Sequence, residues 1–289
     1  MRALAEFILR GRIQACSVAL LGSFFPLISP ATIGLVSLCK GTKEGFLVFL
    51  WVSLPLMLAH QIGADNALLT AISVASLGIA VVAATVHGAL ASWQWSLLAT
   101  LLAALLCTLG FDILMGADVK SLMETVRVAL AEVITQGEGA QLQLAITGPL
   151  ILGFVAMALS ISSILSLMVC RWWQAGLYNP GGFQEEFHSF SMDFKVAVSL
   201  VVVMLAGGFL PKGYEFWVEL AALPLLLAGI ALIHFSVKLF RLGGQWLALF
   251  YVGLILFGAP ISVVLVGLGV ADSFLDLRSK LTGFKNRKL

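Results

Sequence analysis

Eight long apolar stretches, at 13–39, 44–60, 67–90, 92–112, 146–170, 195–211, 214–237 and 246–270, occupy most of this chain of 289 residues. The hydrocarbon core of a bilayer is roughly 30 Å thick, and a helix of about 20 apolar residues crosses it. The stretches are continuous, without the alternation of a membrane barrel strand, so only helices fit them. Composition agrees: 60% of residues are hydrophobic, 11% are charged, and the mean hydropathy is +1.04. So little charge cannot cover a surface that faces water. The expected fold is an all-α polytopic transmembrane helical bundle of about eight spans, forming one integral membrane domain over 1–289. The lipid bilayer is its first expected partner. A net charge of +2, gathered at the two ends, reads as membrane topology rather than nucleic-acid binding.

Arg2, Arg10 and Arg12 precede the first apolar run, in the manner of a signal peptide. That run continues to Cys39 without a small-residue cleavage site, so an uncleaved first span is expected. With the N-terminus inside, the cytoplasmic segments carry Arg2, Arg10, Arg12, Lys120, Arg127, Lys212, Arg278, Lys280, Lys285, Arg287 and Lys288. The outer segments carry Lys40, Lys43, Arg171, Lys195, Lys238 and Arg241. This bias of 11 to 6 favours both termini in the cytoplasm. Pro26 and Pro30, in FFPLISP, offer an alternative in which the first run breaks into a re-entrant hairpin and every later segment is reversed. The bias then falls to 9 against 8, so a continuous, kinked helix is expected.

Two connecting stretches differ from the spans. Within a connector at 113–145, residues 117–136 place Val119, Leu122, Met123, Val126, Leu130, Val133 and Ile134 on one helical face. Asp118, Lys120, Glu124, Arg127 and Glu132 fall elsewhere, with Glu124 and Arg127 spaced as an i,i+3 pair. An amphipathic helix is expected there, on the membrane or packed on the bundle. At 171–194, Trp172, Trp173 and Tyr178 follow a span, Asn179-Pro180-Gly181-Gly182 signals a turn, and Phe183, Phe187, Phe190 and Phe194 recur at helical spacing. The plain reading is an aromatic interfacial segment; the sharper one is a lid over a substrate cavity. A basic cytoplasmic tail over 271–289 closes the chain.

Ionisable residues inside spans are costly and so worth weighing. His234 reads as a proton relay or ligand contact, or more commonly as a neutral imidazole hydrogen-bonded to a neighbouring helix. Glu215 and Glu219 share a face at the start of the seventh span, where carboxylates bind a cation or simply complement a helix N-terminus. Asp272, Asp276 and Arg278 close the last span, as a solvated salt-bridged helix end or as a docking contact for a partner. Cys16, Cys39, Cys107 and Cys170 have no CxxC spacing and read as small buried hydrophobes. His60, His87, His188 and His234 are too dispersed to suggest a metal. No HExxH, Walker A or GxSxG motif occurs. Neither a cofactor nor catalysis is expected.

Small residues recur every four positions at Ala15, Ala19 and Ser23, at Ala80, Ala84 and Gly88, and at Ala158, Ser162 and Ser166. Such rows let helix backbones approach closely. Internal packing is their default use, and recruitment of another membrane subunit the rarer one.

The segments RWWQAGLYNPGGFQEEFHSF, FFPLISPATIGLVSLCKG and GLGVADSFLDLRSKL together resemble the YybS-like family of bacterial membrane proteins, over nearly the whole chain. The resemblance implies an inner-membrane location and a fold similar to the substrate-binding S components of energy-coupling-factor transporters. It also implies that Ala15 and Ala19 match an Ala-x-x-x-Ala row that docks on a membrane coupling subunit served by an ATPase. S components have about six spans, fewer than the eight read here. The leading expectation is a solute-binding transporter component, its cavity lined by spans bearing Pro26, Pro30, Pro55 and His234, because broken helices free backbone groups for a ligand. The alternative is a non-catalytic scaffold that assembles or regulates other membrane proteins.

Overall fold

The computed structural model describes residues 2–25, 27–63, 66–136 and 146–287. Its helices, in chain order, are α1 (Arg2–Arg10), α2 (Arg12–Leu21), the 3-10 turn η1 (Gly22–Phe24), α3 (Ile28–Lys40), α4 (Thr42–Gln61), α5 (Ala67–Leu90), α6 (Trp93–Leu114), α7 (Gly116–Gln136) and α8 (Gly148–Tyr178). They continue with α9 (Gly182–Ser189), α10 (Phe194–Gly207), α11 (Glu215–Glu219), α12 (Ala222–Leu239), α13 (Gly244–Leu256), α14 (Gly258–Leu275) and α15 (Leu277–Asn286). No strand occurs among the described residues. The chain is an all-α membrane bundle. Large apolar side chains stand exposed along its spans, Trp51, Leu58, Leu106 and Val263 among them. Only hydrocarbon accommodates so much uncovered apolar surface.

Six helices among the described residues are long and apolar enough to cross a bilayer: α4, α5, α6, α8, α12 and α14. The pair α9 and α10, bent by 65°, makes a seventh if it counts as one broken span. About eight were expected, and the run at 13–39, divided at Pro30, is the one that supplies no long helix. A proline has no N–H to give to the carbonyl four residues back, and its ring crowds that carbonyl, so it is favoured in a first turn, and inside a helix it costs a hydrogen bond. Pro30 occupies the first turn of α3 and Pro260 that of α14. The runs at 13–39 and 246–270 accordingly each divide into two helices. The seventh run also changes its start: Glu215 and Glu219 lie on the separate helix α11, and the spanning helix begins at Ala222.

Two compact units are present, Met1–Tyr178 with Phe209–Leu220, and Asn179–Gly208 with Ala221–Leu289. In the first, the opening run is a hairpin rather than a kinked span. Arg12, at the start of α2, bonds Glu44, just beyond the end of α3, at 2.6 Å. The two helices therefore lie antiparallel. At 1.5 Å per residue they are about 15 and 20 Å long, too short for either to cross alone. Gly41, at φ +93°, turns the chain from α3 into α4, and the Asn66 side chain caps α5 by accepting from the Leu68 N–H at 2.8 Å.

The same hairpin revises the charge grouping. Arg12, Lys40, Lys43 and Arg171 share one end of the first unit, since Arg171 Nη1 reaches Gln174 Oε1 at 3.2 Å and Gln174 Nε2 donates to the Leu38 carbonyl at 3.5 Å. Lys120, Arg127 and Lys212 belong to the opposite end, where α7, the α8 N-terminus and α11 meet. Arg12 and Lys43 cannot be assigned to opposite faces of the membrane.

In the second unit α12 and α14 pack closely. A Cβ on Gly229 would come within 2.1 Å of the Leu265 carbonyl oxygen, and one on Gly269 within 2.1 Å of the Leu225 carbonyl oxygen. Only glycine lets two backbones approach to this distance. Further along both helices, Lys238 and Arg278 line one depression, so α12 and α14 run in the same direction and α13 returns the chain between them. Lys195, Lys238, Arg241, Arg278, Lys280, Lys285 and Arg287 all fall at one end of this unit, so the first three, expected outside, share a face with the last four, expected inside.

Candidate functional site: a serine-lined apolar cavity

Where α2 turns into α3, the chain must end one helix and begin another at membrane depth, leaving carbonyls that have no water to bond. Serines take that role. Ser29 Oγ donates to the Ala19 carbonyl, and Ser23 Oγ donates to that of Leu20. The Gly22 N–H reaches the Leu20 and Val18 carbonyls. The hairpin tip is thereby held with Ser29 buried and Ser23 and Phe25 exposed.

The tip opens on a cavity of about 550 Å³ within the first unit, inside the range of small-molecule sites. Ser23, Phe25, Ser29 and Pro30 form its hairpin wall. Leu56 of α4 and Leu69, Ile72, Ser73, Ser76 and Leu77 of α5 form a second. Ile151, Phe154, Val155, Ala158, Leu159 and Ser162 of α8 form a third, and Leu122 and Val126 of α7 close the side. Among the described residues, no charged or imidazole side chain lines it. An ion entering such a site would lose its hydration for no compensating charge, a cost of several kcal/mol, so the cavity suits a neutral guest.

The five lining serines are of two kinds. Ser23, Ser29 and Ser73 spend their hydroxyl protons on carbonyls of Leu20, Ala19 and Leu69. Ser76 and Ser162 have no hydrogen-bond partner for their hydroxyls among the described residues. Counting 1.5 Å per residue, Ser76 lies about 14 Å along α5 and Ser162 about 21 Å along α8, well within the membrane. The row Ala158, Ser162 and Ser166 divides between two uses: Ala158 and Ser162 line the cavity, while Ser166 is buried and donates to the Ser162 carbonyl at 2.7 Å. Small residues in a span read equally well as packing or as the wall of a void, which is why Ser23 and Ser162 read as packing positions and Ser29, Ser73 and Ser76 carried no signal.

Of the residues expected at a solute cavity, Pro30 lines this one. Pro26 lies outside the described residues, as do the side chains of Leu130, Glu132, Val133 and Ile134. Pro55 sits in the interior of α4 facing outward and is not in the lining. His234 belongs to the second unit, where its Nε2 shares a 2.8 Å hydrogen bond with the Tyr251 hydroxyl and Phe187 packs edge-on at 5.3 Å. Ala15 and Ala19 are 1% and 0% exposed, so that row is used up inside the first unit. Helix α7 matches its expected amphipathic register: Val119 is buried, and Arg127 pairs with Glu124 at 3.2 Å.

The Asp272, Asp276 and Arg278 group is also resolved. Arg278 Nε donates to Asp272 Oδ2 at 2.9 Å, and the two side chains are only 12% and 2% exposed, so the pair is buried rather than solvated. The other guanidinium nitrogens donate to the carbonyls of His188 and Phe190, where α9 ends, and the group stands 5.6 Å over the Phe235 ring. Asp276 is exposed, adopts φ +46° between α14 and α15, and accepts weakly from the Ser279 N–H at 3.4 Å. A depression of about 850 Å³ beside Arg278 is lined by Lys238 but also by Glu185 and Asp276, so its charges oppose one another.

Helix α8 continues through Trp172 and Trp173 to Tyr178, so these rings are part of a helix, with Trp173 buried. Glu215 and Glu219 are exposed on α11. The Glu215 carboxyl accepts from the Gly213 N–H at 2.9 Å, and its own backbone N–H, followed by that of Gly213, holds it below the usual carboxylate range. No group of three or more potential metal ligands occurs among the described residues. No protein-family model matches the chain, and no curated protein and no solved structure matches it.

Proposed function

We propose that the chain is a solute-binding membrane protein whose first unit holds a small, neutral, mainly apolar guest in the cavity at the hairpin tip. The observation that carries this reading is the void itself: about 550 Å³, uncharged, and bordered by a broken helix pair and two unpartnered hydroxyls at mid-membrane depth. Broken helices beside a central cavity are how many transporters present polar groups to a solute. The YybS-like resemblance supports the same direction, a component of uptake or handling at a bacterial inner membrane. Movement coupled to ATP would need a partner ATPase, because the chain has no nucleotide motif. Its docking surface would lie elsewhere than Ala15 and Ala19, which are buried. Cations crowd one end of each unit, and the positive-inside rule directs those ends to the cytoplasm.

Purification of the full chain in lipid nanodiscs, followed by mass spectrometry of extracted small molecules, tests this reading. A compound enriched over empty nanodiscs is expected, and Ala158→Leu, which fills the void, should remove it without lowering the melting temperature. Absence of any enriched compound overturns the reading. Retention of the compound at full occupancy in Ala158→Leu does so as well. Stoichiometric partner proteins without a solute would favour a scaffold.

A further inference from the structure

The hydrogen-bonding state of the cavity wall restricts what chemistry fits it. Ser23, Ser29 and Ser73 have already donated their protons to backbone carbonyls and retain only lone pairs toward a guest. Ser76 and Ser162 have both a proton and lone pairs to offer, since no protein group meets them among the described residues. Ser73 and Ser76, three residues apart on α5, are neighbours on one helix face. The wall therefore presents acceptors and donors side by side, set in an otherwise apolar lining that has, among the described residues, no charge to balance an ion.

A carboxylate or an ammonium would be stranded there without a counter-ion. A ketone or ester accepts from Ser76 or Ser162 but leaves the lone pairs of Ser73 and Ser29 without a donor. An alkane leaves the hydroxyls of Ser76 and Ser162 unmet. A hydroxyl group both accepts and donates, and so satisfies both kinds of serine from one atom.

We infer that the guest of this cavity is an uncharged aliphatic alcohol, its hydroxyl accepting from Ser76 or Ser162 and donating to the oxygen of Ser73, with its chain against Leu69, Ile72 and Phe154. This rests on the proposed solute-binding role of the cavity and adds the chemical class. Specificity then resides in α5 and α8, and neither helix needs an ionisable residue to provide it.

The test is equilibrium binding of radiolabelled ten-carbon probes to the full chain in nanodiscs, with partition into empty nanodiscs subtracted. 1-Decanol is expected to bind saturably at one site, 2-decanone at least tenfold more weakly, and decanoate at pH 8 not at all. In the Ser76→Ala, Ser162→Ala double variant the preference for the alcohol should shrink to within about twofold, with an unchanged melting temperature. If that variant does not fold, Ser76→Thr with Ser162→Thr, which keeps both hydroxyls, should preserve the preference. Loading from donor vesicles points to an alcohol of the bilayer and loading from aqueous solution to a soluble one, and either supports the inference. Equal binding of 2-decanone, or saturable binding of decanoate, overturns it. If no probe saturates while a co-purified compound is still displaced by Ala158→Leu, the alcohol class is wrong and the cavity reading survives. If that compound is missing too, both fall.

Discussion

The Arg12 guanidinium donates two hydrogen bonds to the Glu44 carboxylate, at 2.7 and 2.6 Å, across 32 residues of chain. An exposed pair of this kind is screened by solvent and adds little, so its value lies in geometry rather than stability. It joins the start of α2 to the start of α4, and a helix that ran straight through the membrane from Arg12 to Lys40 could not make it. The pair identifies the hairpin, and the hairpin in turn creates the cavity at its tip.

Membrane sidedness is read within each unit from the end at which its cations gather. Reporters active only in the cytoplasm, fused after Arg241 and after Leu289, should both work, and a reporter active only outside should work near Lys212. Activity of the exported reporter after Arg241 would refute the orientation, because Lys238 and Arg278 share one depression.

The crossing of α12 and α14 depends on two missing methyl groups. Gly229→Ala and Gly269→Ala should each destabilise the protein by about 1–3 kcal/mol, the usual range for overpacking, since the added carbon would meet a backbone carbonyl that cannot rotate aside. Gly267→Ala, with nothing within 4 Å of its Cβ position, is the control and should be near neutral. Thermal melts in detergent measure all three.

Arg278 bonds a buried carboxylate and two carbonyls at the bend between α9 and α10. Arg278→Met should cost about 3–5 kcal/mol by leaving the Asp272 charge buried and unpaired. Adding Asp272→Leu should recover part of the loss, but not all, because the His188 and Phe190 carbonyls remain without their donor. Full recovery in the double variant would show that the carbonyl bonds contribute nothing.

Pro55 and His234 now separate from the cavity. Pro55→Ala should leave the co-purified compound in place and hold or slightly raise stability by restoring a helix hydrogen bond. Tyr251→Phe should cost about 0.6 kcal/mol, the average found for hydrogen bonds between membrane helices, again without loss of the compound. Release of the compound by either substitution, measured in the mass-spectrometric assay, would reconnect these residues to the solute.

Much of the architecture was legible in the residues alone. Hydrocarbon imposes its rules on each segment separately, so the apolar runs at 44–60, 67–90, 92–112 and 146–170 were recognisable without knowing their neighbours, and the register of α7 followed from its own periodicity. Pro30 offered a break, whereas the division of 246–270 at Pro260 was not read, and a break alone does not say whether the chain continues forward or doubles back. That was decided by Arg12 finding Glu44, and by Gly229 meeting the α14 backbone, contacts between positions far apart in sequence. The cavity was hidden for the same reason. Whether Ala158 and Ser162 pack against a helix or border a void depends on what stands opposite them, and only the assembled bundle supplies that.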